Sequence, residues 1–171
     1  NENKVSGLFG AAAVTYHDNL AGLGPHVISV SVLDSTVSAF AIDELTGSLS
    51  QVASLTADGT NYLAGARDIL VLDDDIYVAS QVADAVVHIS AQDNGGLQLQ
   101  FEQAQHFSNG VFGLDQTLAL AASDDGAFVY AAGSNDAAVV VFNRDLNSGV
   151  LSHVETVQQG VNGADGLTGI N

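Results

Sequence analysis

Carboxylates are the side chains in this sequence whose types and spacing point most directly to chemistry. Asp73, Asp74 and Asp75 are consecutive, and Asp124 and Asp125 form a second group. Both groups lie between apolar segments, where the chain is expected to turn. Ca²⁺ takes about six to eight oxygen ligands, so the two groups are candidate calcium sites. The alternative is a pair of solvated turns whose aspartates accept hydrogen bonds from their own backbones.

Basic residues are scarce. The chain has 3 Lys and Arg against 20 Asp and Glu, which gives a formal net charge of −17. Lys4, Arg67 and Arg144 are isolated from one another in the sequence. Nucleic acid is excluded as a partner, because binding to phosphates requires clustered Lys and Arg.

The sequence lacks the common motifs for a catalytic nucleophile or for a histidine or cysteine metal site. There is no cysteine, no Gly-x-Ser-x-Gly motif, and no pair of histidines at metal-ligand spacing. His88 lies in an apolar segment, which favours a structural role. His17-Asp18 and His26 flank one corner, where an acid–base pair is conceivable. We therefore assign no catalytic and no cofactor-binding residue from the sequence.

These candidates must be positioned by a repeated element. Val27–Phe40, Ile76–Ile89 and Val129–Phe142 align with one another without gaps and recur about every 50 residues. Gly-rich segments that precede each copy keep the same register, as in Gly110-Val111-Phe112-Gly113. The sequence is therefore read as three repeats.

Each repeat is expected to form four short strands joined by turns, with essentially no helix. Asp124-Asp125-Gly126 is a typical hairpin turn. Units of four strands that recur at this spacing are typical of β-propeller blades. In the third repeat the predicted strands are Thr117–Ala122, Phe128–Gly133, Ala137–Asn143 and Val150–Thr156.

The predicted fold is an all-β partial propeller of three four-stranded antiparallel blades, forming one segment over residues 1–171. The blades are expected at about 7–61, 62–110 and 111–165, and 166–171 opens a fourth repeat. Three blades leave apolar faces at both ends of the arc. We expect those faces to meet further blades, from the same longer chain or from a second copy, in a ring of six to eight blades. No apolar run approaches the about 20 residues that span a bilayer.

The motifs of the third repeat also carry a family resemblance. The segments SDDGAFVYAAGSNDAAVVVFNRD and SGVLSHVETVQQGVNGADGLTGI resemble the lactonase-like, YVTN-type propeller repeats of bacterial secreted and surface proteins. Ser123-Asp124-Asp125-Gly126 departs from the Ser-Pro-Asp-Gly often found there, but keeps the Asp-Gly turn. The resemblance implies a seven-bladed propeller and brings in hydrolysis of lactones, including 6-phosphogluconolactone. It also places Arg67 near the propeller channel, as a candidate ligand-binding residue.

Three functions follow from these observations. We expect a non-catalytic module for binding, adhesion or scaffolding, at the cell surface or outside the cell, with calcium as its candidate stabilising ion. The alternative is a lactonase-like hydrolase of a sugar lactone, for which one arginine in so acidic a chain is a poor anion trap. A further alternative is a self-assembling ring or filament subunit.

Overall fold

The computed structural model describes residues 5–56 and 61–167, which form three four-stranded antiparallel sheets. Short 3-10 segments at Leu20–Gly22 and Phe107–Asn109 are the helical elements of this part of the chain. The all-β fold class is confirmed. The strands are β1 (Ala11–His17), β2 (His26–Ser31), β3 (Thr36–Ile42), β4 (Leu49–Thr56), β5 (Ala66–Leu72), β6 (Asp75–Ser80), β7 (Ala85–Asp93), β8 (Leu97–His106), β9 (Thr117–Ala122), β10 (Phe128–Gly133), β11 (Ala138–Arg144) and β12 (Leu151–Gln158).

Within each sheet, strands that are consecutive along the chain pair with one another, so each sheet is a simple meander. We call the sheets blade 1 (β1–β4), blade 2 (β5–β8) and blade 3 (β9–β12). The turns between strands are short, which makes antiparallel pairing of consecutive strands the easiest arrangement. The third strand of blade 3 starts one residue later than the sequence predicts, because Ala137 has a φ of 47° and belongs to the turn.

Alternation along the strands of the middle blade gives it two buried faces. In β6, Ile76 and Val78 belong to an apolar core shared with blade 1, whereas Tyr77 belongs to a core shared with blade 3. Neighbouring side chains of a strand point to opposite faces of its sheet. A sheet covered on both faces therefore reads as apolar throughout, as the sequence of β6 and β7 does.

The first strand of each blade carries a β-bulge at the same place. In β1 and β5 the pairing register shifts across Ala12 and Arg67 respectively, and the pairing of β9 with β10 shifts across Leu118. These are the edge strands of their sheets, and they contact one another from blade to blade. A bulge adds one unpaired residue and redirects its side chain, so each blade presents one residue at its inner edge.

The two end blades leave apolar side chains in solvent. Val14 and Tyr16 on β1 are 68% and 60% exposed, and Val154 on β12 is 52% exposed. The fourth repeat predicted at 166–171 lies, from residue 168 onward, outside the described residues. Within the described residues, no helix has the length and apolarity needed to cross a membrane.

Candidate functional site

Arg67 occupies the bulge of β5 with its side chain exposed. Its neighbour Asp68 is half-buried and is held by two backbone groups, because its Oδ1 accepts from Ile69 N–H at 2.9 Å and its Oδ2 accepts from Leu120 N–H at 2.8 Å. Asp68 thus joins the inner strands of blades 2 and 3. Within residues 5–56 and 61–167, Arg67 has no hydrogen bond and no ion pair, so its guanidinium is available to a ligand.

Arg144, the other arginine, has the opposite environment. It is the last residue of β11 and is only 3% exposed, between blades 2 and 3. One guanidinium nitrogen lies 2.6 Å from Asp75 Oδ2, 3.0 Å from Asp73 Oδ2 and 3.2 Å from the Leu72 carbonyl oxygen. Its Nε donates to the Tyr77 hydroxyl oxygen at 2.9 Å. The charge of Arg144 is therefore compensated inside the protein.

His88 completes this cluster, which we call the Arg144 cluster (Asp73, Asp75, Tyr77, His88 and Arg144) and which is buried except for the exposed side chain of Asp73. Its Nε2 lies 2.7 Å from Asp75 Oδ1, and its ring stacks on Tyr77 with the centroids 5.1 Å apart. The Tyr77 hydroxyl donates to the Gly149 carbonyl oxygen at 2.6 Å. The structural role expected for His88 agrees with this position.

Burial and hydrogen bonding oppose each other at Asp75. Burial alone raises the pKa of its carboxyl group, but hydrogen bonds and charge from His88 and Arg144 outweigh burial and hold that pKa below its usual value of 3.8. Burial, together with the negative charge of Asp75, raises the pKa of the Tyr77 hydroxyl above its ordinary range. Tyr77 therefore stays protonated and serves as a hydrogen-bond donor.

The first candidate calcium group is divided among other partners. Asp73 and Asp75 face Arg144, whereas Asp74 Oδ1 accepts a hydrogen bond from Ala21 N–H of blade 1 at 2.6 Å. The three side chains therefore point to different partners. In the parts of the chain that the structure describes, no three His, Asp or Glu residues are grouped to hold a metal ion.

The second candidate calcium group lies in the β9–β10 turn. Asp125 Oδ1 accepts from the Ser123 hydroxyl at 2.6 Å and from Ala127 N–H at 3.1 Å, while Asp124 is exposed. These hydrogen bonds lower the pKa of Asp125. The geometry is that of an aspartate that stabilises its own turn. Calcium at either group stays a prediction.

The corner of His17, Asp18 and His26 brings two histidines together. His17 ends β1 and is paired with His26, the first residue of β2. His26 is 2% exposed, and its Nδ1 lies 2.9 Å from the Gly24 carbonyl oxygen. The nearby Asn19 N–H donates to His17 Nδ1 at 3.3 Å. No hydrogen bond joins Asp18 to either ring among the described residues.

The family follows from comparison with known proteins. A family described as "Lactonase, 7-bladed beta-propeller" matches residues 10–164. The chain belongs to this lactonase family. The resemblance seen in the repeats is thereby confirmed, and no curated protein matches the sequence.

Solved structures agree on the fold. A candidate 6-phosphogluconolactonase from Bacteroides fragilis superposes with a TM-score of 0.73 at 18% identity, over 91% of this chain and 41% of that one. A related protein from Bacteroides uniformis gives 0.71 at 19%, over 90% and 42%. The periplasmic gluconolactonase of Pseudomonas aeruginosa gives 0.70 at 21%, over 86% and 39%. The lactonase-family chain thus spans about two fifths of the length of these structures.

Two expectations from the sequence were wrong. A non-catalytic binding or adhesion module is contradicted by the match to a lactonase family and by structural neighbours described as a 6-phosphogluconolactonase and a gluconolactonase. An extracellular or cell-surface location is also not supported, since the neighbour whose description gives a location is periplasmic. Catalysis was disfavoured because the sequence has few arginines to bind an anionic substrate. That count does not include residues outside this segment.

Proposed function

We propose that this chain is the three-bladed part of a lactonase-like hydrolase that opens a sugar lactone with water. The family match over residues 10–164 supports this proposal. The structural likeness to a 6-phosphogluconolactonase and a gluconolactonase also supports it. At sequence identities near 20%, that likeness shows a shared fold.

The observation that carries the proposal is the contrast between the two arginines. Arg144 is buried and neutralised by Asp73 and Asp75. Arg67 is exposed on the inner edge of blade 2, where the equivalent bulge positions in blades 1 and 3 hold Ala12 and Leu118. Among the described residues, Arg67 is therefore the cation that faces an open site, and a guanidinium suits an oxygen that gains negative charge.

Lactone hydrolysis gives Arg67 a defined role. Water adds to the carbonyl carbon, and the carbonyl oxygen becomes negatively charged in the tetrahedral intermediate. The bond from that carbon to the ring oxygen then breaks, the ring oxygen takes a proton, and a hydroxy acid is released. Arg67 donates hydrogen bonds to the carbonyl oxygen as its charge develops, which stabilises the transition state more than the substrate.

The test is hydrolysis of glucono-1,5-lactone by the protein and by Arg67→Met, measured as acid release above the uncatalysed rate. We expect Arg67→Met to lose about 100-fold or more in kcat/KM, as when one oxyanion donor is removed. Ala12→Met, at the equivalent bulge of blade 1, is the matched control and keeps wild-type activity. Equal activity of Arg67→Met and wild type contradicts the role of Arg67. No hydrolysis by the wild type, when it is assembled with the blades that complete its ring, contradicts the proposed function.

We further propose that additional blades cover the outer faces of blades 1 and 3. Exposed Val14 and Tyr16 of blade 1 and Phe128 of blade 3 support this, because contiguous apolar faces are uncommon on monomers. Light scattering at several concentrations tests the source of those blades. A constant dimer supports a second copy, and a monomer supports blades from the same longer chain.

A further inference from the structure

A cleft between blades 1 and 2 is not used by the proposed reaction. It has a volume of about 480 Å³ and is lined by Leu23, His26, Ala41, Val52, Gly95, Gly96, Leu97 and Gln98. Its histidine is paired with the last residue of β1, whereas the position in β1 that is equivalent to Arg67 is Ala12, five residues earlier. At about 3.3 Å per residue, the cleft and the Arg67 site are about 17 Å apart along the strand direction.

His26 offers one hydrogen-bond acceptor to this cleft. A carbonyl oxygen only accepts, so the contact with Gly24 O requires the proton of the neutral ring to be on Nδ1. The Nε2 atom then carries a lone pair. In the described part of the chain, the buried polar atoms without a partner are Ser29 Oγ, Ser80 Oγ and His88 Nδ1. His26 Nε2 also receives no hydrogen bond from the described residues, but it is not among these buried atoms. We attribute this to the cleft that His26 lines, which gives the atom access to solvent.

The neighbouring interface shows what kind of group fits beside His26. His26 in blade 1 and Asp75 in blade 2 are equivalent, since each is the first residue of the second strand of its blade. His26 pairs with Ala41, and Asp75 pairs with Ser90. Beside Asp75, blade 3 inserts the N–H groups of Arg144. The equivalent of Arg144 in blade 2 is Ala91, whose methyl group fills far less space. The cleft therefore lies beside the position where a hydrogen-bond donor is inserted at the next interface.

We propose that this cleft binds a small uncharged molecule with an apolar body and one hydroxyl group. The hydroxyl donates to His26 Nε2, and the apolar body packs against Leu23, Val52 and Leu97. Among the described residues, no charged side chain lines the cleft, so they offer an ionised ligand no counter-charge there. There is open space beside Gly96, since no described atom lies within 4 Å of the place where a Cβ atom stands in other residues.

The site is tested with 4-fluorophenol, whose binding is followed by the broadening of its ¹⁹F NMR signal. Val52→Trp is expected to weaken binding at least 10-fold by filling the cleft, and it should be tolerated because Val52 is 43% exposed. Val154→Trp, at an exposed strand position of blade 3, is the matched control and binds like wild type. His26→Leu is expected to weaken binding about 10-fold, which corresponds to loss of one well-formed hydrogen bond.

A second signal identifies the atom involved. In the wild type, 4-fluorophenol should shift the ¹⁵N resonance of His26 Nε2 and leave that of exposed His153 unchanged. No binding by the wild type at 10 mM probe, or equal binding by wild type and Val52→Trp, overturns the proposal. Because the probe is not a lactone and Arg67 is untouched, these outcomes are independent of the hydrolysis test.

Discussion

The two interfaces between neighbouring blades use different physics on the same fold. Blades 1 and 2 meet through aliphatic side chains such as Ile28 and Ile76, whereas blades 2 and 3 enclose the Arg144 cluster within an apolar surround. Ile28 and Tyr77 are equivalent in their strands, and so are Ala91 and Arg144. A few substitutions thus convert an apolar contact into a charged one without changing the strand pattern.

This difference predicts which substitutions at each interface lower the stability of the protein most. An aliphatic contact loses stability in proportion to the volume removed, and its neighbours relax partly into the gap. A buried ion pair contributes little by itself, but removing one partner leaves an uncompensated charge in a poorly solvated place. The blade 2–3 interface should therefore tolerate single changes least.

Arg144→Met breaks the comparison at its most sensitive point. We expect the free energy of unfolding to fall by about 3–5 kcal/mol, because Asp75 and the Tyr77 hydroxyl lose their buried partner. Urea denaturation of Arg144→Met and Arg67→Met measures the effect, and the exposed Arg67 serves as the control with a change below about 0.5 kcal/mol. A loss below about 1 kcal/mol for Arg144→Met argues that the cluster is not buried in solution.

Ile28→Ala tests the apolar interface. Ile28 is fully buried and occupies in blade 1 the position of Tyr77 in blade 2. We expect a loss of about 2–4 kcal/mol in urea denaturation, from lost burial and the cavity that remains. This loss should be the same at pH 7 and pH 4, because no titrating group is removed. A loss that depends on pH contradicts an apolar role for Ile28 at this interface.

Asp75→Asn sharpens the comparison through pH. The pKa of Asp75 is lower in the folded protein than its ordinary value of 3.8, so the native state favours the ionised form. That contribution is present above about pH 4 and is lost as the pH falls through the lowered pKa. We expect Asp75→Asn to cost about 2 kcal/mol at pH 7.

Urea titrations of the wild type and Asp75→Asn between pH 7 and pH 2 measure the change. The difference in stability between the two proteins should shrink as the wild-type carboxyl becomes protonated. Asp124→Asn is the control, since that side chain is exposed and, among the described residues, takes part in no hydrogen bond or ion pair. A constant difference across this range contradicts a lowered pKa at Asp75.

Calcium is the smallest effect expected. If either aspartate group binds Ca²⁺, a chelator should lower the melting temperature and added Ca²⁺ should restore it. The internal partners of Asp73, Asp75 and Asp125 leave few oxygens for a metal, so we expect a change of about 1 °C or less. NaCl at matched ionic strength is the control for screening of the −17 net charge. A calcium-specific rise of several degrees contradicts this expectation and supports the metal sites.

The sequence predicted the fold well because strands and turns are specified by residues that are close together in the chain. Alternating and continuous apolar runs indicated strands, and Asp124-Asp125-Gly126 indicated the turn that joins β9 to β10. Contacts between blades could not be predicted for the opposite reason, because they are not local. The contact between Arg144 and Asp75 joins residues 69 positions apart, and it depends on how one blade packs against the next. The different partners of Asp73, Asp74 and Asp75 could therefore not be predicted from the sequence.

Composition and spacing by themselves determined the repeat, the four-stranded blades and the acidic character of the chain, since these depend on residue type and on a period of two along each strand. Only the tertiary structure decided the burial and the hydrogen-bond partners of the two arginines and of His26. Whether a charge is neutralised, or a ring nitrogen left without a partner, depends on distances between atoms of different blades, because desolvation and hydrogen bonding act over a few ångströms. That is why Arg144 became part of the interior and Arg67 remained available to a ligand.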